Sequence, residues 1–155
     1  MNNRFDTSLR YLKLKDLFFV ILYGGILSIL FGFLLGFIDY YISTYVRISF
    51  AGILFFLSSM QIGKLVRKQY DFPHIVYIVF TGFFLVIQAI IIYFLPLIFT
   101  FVLENNAPEL VFDYRLYWIV LQNIFSNLFT GFNINLWLTI FIFGIGTYLG
   151  VKQTY

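Results

Sequence analysis

Seven acidic side chains, one histidine and no cysteine are all that this chain of 155 residues offers to acid–base, metal or thiol chemistry. Without cysteine there is no disulfide, no thiol nucleophile and no Cys-zinc site. The histidine is His74, and Asp71 stands before it across Pro73, close enough in sequence to pair in a loop. One histidine cannot complete a zinc site within a single chain. A serine nucleophile needs a base, and His74 stands at the very start of an apolar run. No Asp, Glu, Lys, Arg or His falls in the middle of any long apolar run, where a proton-coupled carrier usually keeps one. Hydrolysis within a membrane by paired aspartates is equally unsupported. The expectation is a protein that is not an enzyme and that uses no metal and no cofactor.

What remains is uncharged polarity. Gln88 sits near the middle of one apolar run, with Thr81 about two turns earlier on the same helical face. Gln61, Ser58 and Ser59 lie toward the end of another. A glutamine in hydrocarbon must find a partner, and the net gain is modest, on the order of 0.6–2 kcal/mol. Interhelical hydrogen bonding is the plain use of Gln61, Gln88 and Thr81. A polar pathway is the sharper one, and it needs these groups to converge, with Tyr23 and Tyr93 as wall residues.

The elements that must position these groups are apolar helices. Hydrophobic residues make up 61% of the chain and charged residues 11%, against about 25% charged in an ordinary soluble domain. This composition describes an all-α integral membrane protein. Its length allows about four crossings at about 20 residues each. The runs place spans at about 17–38, 46–63, 74–103 and 134–151, in one membrane domain over residues 1–155. Residues DYYISTYVR read as a short loop after the first span. The third span is longer than a bilayer needs, and Pro96 is its natural bend point. Between 122 and 133, Gln122, Asn123, Ser126, Asn127, Thr130 and Asn133 recur at helical spacing. That pattern predicts an amphipathic helix over about 114–130 lying in the outer interface, or a re-entrant or spanning segment in its place. Before the first span, Thr7 or Ser8 would cap a short interfacial helix.

Charge sets the orientation. Eight of the ten Lys and Arg fall before the first span, in the 64–74 loop and after the last span. Arg47 and Arg115 are left for the other side. Positive residues stay cytoplasmic, so both termini should be cytoplasmic in a multi-pass protein of the cell membrane, a bacterial plasma membrane. Lys64, Arg67 and Lys68 can rest on anionic headgroups or dock a partner. No basic stripe lies on a polar surface, so nucleic acid is not expected as a partner.

Packing is the strongest pattern. Gly24, Ser28, Gly32 and Gly36 recur every four residues in the first span, and Gly146 and Gly150 share that interval in the last. Ridges of small residues let helix backbones approach closely. The spacing predicts that span one packs on span four or span two, or that it meets a second copy or another membrane protein. Four spans, short loops and no central charge point to a four-helix transmembrane bundle that acts by binding, as an accessory subunit or an immunity-like factor. The alternative is a small oligomeric channel or transporter for a neutral or lipidic substrate. Expected partners are membrane lipids, another membrane protein, or the chain itself.

Overall fold

The computed structural model describes residues 12–130 and 134–155, and every regular element among them is helical. Helix α1 runs Leu14–Val46, α2 Ala51–Arg67, α3 Ile75–Glu104, α4 Tyr114–Thr130 and α5 Ile134–Lys152. A short 3-10 turn, Pro108–Phe112, joins α3 to α4. Two of these helices, α1 and α3, are long and apolar enough to cross a membrane. The cap expected at Thr7 or Ser8, and Asn133 of the polar stripe, lie outside the described residues.

Helix α1 holds its small residues on the inner side. Val20, Gly24, Ser28, Gly32 and Gly36 are all buried. A strict interval of four drifts about 40° per step around a 3.6-residue helix. A π-turn at Leu22–Ile26 widens the helix where Gly24 and Gly25 sit, and takes up part of that drift. The ridge packs on α3. A methyl added at Gly24 would meet Phe84 at 3.1 Å, at Gly32 it would meet Ile91 at 3.1 Å, and at Gly36 Leu95 at 3.2 Å. At Gly24 it would also meet Val66 of α2, at 3.5 Å. The numbers rise together along both helices, so α1 and α3 run parallel. The main partner therefore differs from the two expected from sequence. The glycines are grooves that receive Phe, Ile and Leu knobs, and such a ridge needs no matching small residues opposite.

The second tight pair is α2 with α5, also parallel. Gly52 faces Ile142, Gly146 faces Phe55, and Gly150 lies against the Ser59 carbonyl. Gly63 approaches Gly150 so closely that any side chain there would overlap the Gly150 carbonyl oxygen. Leu85 and Ile92 of α3 join Val20, Phe55, Ile62 and Val66 in the core shared by the two pairs. Helix α4 stands apart, with Leu116 packed on Ile98 and Val102 near the end of α3.

Two boundaries correct the sequence reading. Residues 39–46 are helical and are not a loop. The apolar run ends at Ile38, but no Pro or Gly follows to stop the helix. Ser43 and Thr44 donate their hydroxyls back to the Tyr40 carbonyl, so polarity costs the helix little here. The stop comes at Arg47, in the left-handed conformation with φ 58°. The following helix accordingly starts at Ala51, later than Val46, and continues past Gly63 to Arg67. Helix α3 passes through Pro96 without a break, and Thr100 donates to the Pro96 carbonyl.

Candidate functional site: a sealed polar centre and an interlocked end

Ser58, Ser59 and Gln88 are buried where α2, α3 and α5 meet, and Thr81 is buried two turns before Gln88 on α3. Gln88 Nε2 donates to Ser58 Oγ at 2.8 Å, which ties α3 to α2. Ser58 donates its own hydroxyl to the Phe55 carbonyl. Ser59 donates to the Phe56 carbonyl and, at 2.9 Å, to the Gly146 carbonyl, which ties α2 to α5. Thr81 closes on the Tyr77 carbonyl of its own helix. Two buried oxygens, Ser28 Oγ and Gln88 Oε1, have no hydrogen-bond partner among the described residues. Gln61 is exposed and does not join this group, so the convergence that a polar pathway would need does not include it. It lies two residues beyond buried Ser59, about 200° around the helix at about 100° per residue, so it points away from the inner face. Tyr23 is partly exposed, and Tyr93 lines an apolar groove between α3, α4 and α5.

A second assembly lies at the end where α2 stops and α3 starts. Lys13 donates its backbone N–H to the Tyr77 hydroxyl at 3.1 Å, and its ammonium pairs with Asp71 at 3.3 Å. That ion pair is exposed, so it contributes little, about 0–1 kcal/mol. Arg67 donates to the Tyr70 carbonyl at 2.7 Å and lies over the Tyr70 ring. The Tyr70 and Tyr77 rings are 4.7 Å apart. Tyr70 donates its hydroxyl to the carbonyl of Thr154, which is itself buried. Burial pushes the Tyr70 phenol above its usual range, while the Thr154 bond and the Arg67 charge pull the other way. Three segments far apart in sequence are thereby locked together: the residues before α1, the 64–74 loop and the tail after α5. Lys64 and Lys68 stay exposed on this end.

His74 and Asp71 are not used as a pair. Asp71 faces Lys13, while His74 is buried and its Nδ1 accepts the Val76 N–H at 3.2 Å, capping α3. The signal for that cap was in the sequence, in the single polar residue between Pro73 and an apolar run. The other cap had no local signal. Asp39, buried, accepts the Phe50 N–H at 2.6 Å and the Ser49 hydroxyl at 2.9 Å, and so caps α2 from the previous helix. Among the described residues, no three of His, Cys, Asp and Glu come together as metal ligands. No family model, no curated protein and no solved structure matches this chain.

Proposed function

We propose that this chain is a four-span protein of the cell membrane that acts by binding, as an accessory subunit or an immunity-like factor. Helices α1, α2, α3 and α5 are the spans, and α4 lies against the outer half of α3. The Lys13–Asp71 and Tyr70–Thr154 contacts support this arrangement. They bring the basic segments around Lys13, Arg67 and Lys152 to one end, as the positive-inside rule requires of a cytoplasmic face. A bacterial plasma membrane is the setting this reading takes.

The observation that carries binding over transport is the state of the buried polar groups. Gln88 is fully buried and gives its amide N–H to Ser58, though its Oε1 has no partner among the described residues, while Gln61 faces outward. Polar side chains used as interhelical ties leave no lining for an aqueous path. The glycine ridge of α1 is spent on α3, so a partner would meet another surface. The decisive experiment is mild cross-linking in native membranes, followed by purification and mass spectrometry. A stoichiometric second protein is the expected result. Recovery of this chain alone, with lipid, would turn the reading toward the channel or transporter. In that case Gln88→Leu would abolish solute flux in liposomes. Under the binding reading it leaves partner recovery unchanged and lowers stability by about 1 kcal/mol, because Ser58 loses its donor.

A further inference from the structure

Ser43, Thr44, Ser58, Ser59 and Thr81 each donate their hydroxyl to a carbonyl three or four residues earlier in the same helix. That is the usual habit of a hydroxyl inside a helix. Ser28 does not follow it, although it is fully buried. The two carbonyls it would reach, at Gly24 and Gly25, belong to the π-turn Leu22–Ile26, whose bonding departs from the α-helical pattern. A buried hydroxyl that is not satisfied by its own helix must find a partner elsewhere.

Gln88 stands at the same level across the seam between α1 and α3. Gly24 meets Phe84 and Gly32 meets Ile91, so the seam is in register on both sides of Ser28. Ser28 lies four residues past Gly24, and Gln88 four past Phe84, about 6 Å along each helix. The two residues therefore share one rung, and both are fully buried. One arm of the Gln88 carboxamide, Nε2, is taken by Ser58 of α2. The other arm, Oε1, accepts nothing among the described residues, so Ser28 does not bond to it directly. The rung thus carries a hydroxyl still to donate and a carbonyl oxygen still to accept. Phe84, Leu85 and Ile91 around it offer no counter-charge to an ion. A water molecule matches both groups, because it can accept from one and donate to the other. Buried waters commonly make about 2–4 hydrogen bonds to polar groups that the fold itself leaves unmet.

We propose that Ser28 and Gln88 bind one buried water molecule, which accepts from the Ser28 hydroxyl and donates to Gln88 Oε1. The site rests on the packing of α1 against α3 and not on the membrane placement. Through it α1 joins a polar layer that already ties α3 to α2 at Ser58 and α2 to α5 at Ser59 and Gly146. The test is solid-state NMR of the isotope-labelled full chain in lipid bilayers, with magnetisation passed from water protons to the protein. The signal is read at Ser28 Cβ and Gln88 Cδ, with buried Thr81 and Leu85 as references. The expected result is transfer to Ser28 and Gln88 and little to Thr81 or Leu85. In Ser28→Ala the Gln88 signal should drop to the level of Leu85, because one polar group in an apolar wall does not hold a water. Circular dichroism checks that this variant folds, and the spectrum of the unaltered chain tests the site by itself. Transfer to neither Ser28 nor Gln88 would overturn the proposal in favour of a dry contact. An unchanged Gln88 signal in folded Ser28→Ala would overturn it by placing the water elsewhere. Transfer that reaches Thr81 and Leu85 as well would overturn it in favour of a continuous water path, and would also count against the binding reading above.

Discussion

Gly63→Ala unfolds this protein at a clearly lower temperature, with a loss of about 3 kcal/mol, the upper range for overpacking. The new methyl would overlap the carbonyl oxygen of Gly150, and a backbone atom cannot rotate away as a side chain end can. Helices α2 and α5 would have to move apart. That motion would also draw Ser59 away from the Gly146 carbonyl. Gly144→Ala is the matched control on α5, because a methyl there meets nothing within 4 Å. It should be neutral, or stabilising by up to about 1 kcal/mol from helix propensity. Thermal unfolding of both variants in one detergent, followed by circular dichroism, makes the comparison. Equal midpoints would show that α2 and α5 are not packed this closely.

Asp39→Ala loses about 2 kcal/mol and loosens the start of α2. The first backbone N–H groups of any helix need acceptors from outside it. Here Phe50 N–H goes to Asp39, and Ser49 both donates to Asp39 and receives the Ala51 N–H at 3.3 Å. One carboxylate therefore orients two donors in a buried place. Losing a cap costs about 0.5–2 kcal/mol, and leaving a buried donor unpaired costs about 1–3 kcal/mol. Asp39→Asn keeps one acceptor oxygen and should lose less. Hydrogen exchange reads the effect directly, with faster exchange at Phe50 and Ala51 in the alanine variant. Unchanged exchange at those two amides would remove Asp39 from this role.

The apolar runs announced where helices lie because each run is long and uninterrupted. Their ends were less legible, as α1 shows. Hydropathy falls after Ile38, yet backbone bonding continues to Val46, since hydrophobicity and helical geometry stop for different reasons. Helix phase was legible where small residues marked it. Gly24 to Gly36 and Gly146 to Gly150 each define a buried face, but a groove does not name the knob that fills it. On α2, the exposure of Gln61 was not legible, because polar Ser58, Ser59, Gln61 and Lys64 fall on several sides of the helix and define no single stripe to fix its phase. The ties between Lys13 and Tyr77, and between Tyr70 and Thr154, join residues 64 and 84 positions apart. No local pattern encodes such pairs.

The pairing of α2 with α5 also has a consequence in time. A ribosome finishes Gly63 well before it reaches Gly150, and at about 5–20 residues per second the gap is roughly 4–17 s. Helix α1 waits about two thirds as long for α3, because Phe84 follows Gly24 after 60 residues, whereas α2 needs the last described helix. Through that interval the small-residue face of α2 is complete but uncovered. A nascent chain of this protein therefore shows its neighbours a glycine-lined surface that the finished molecule hides.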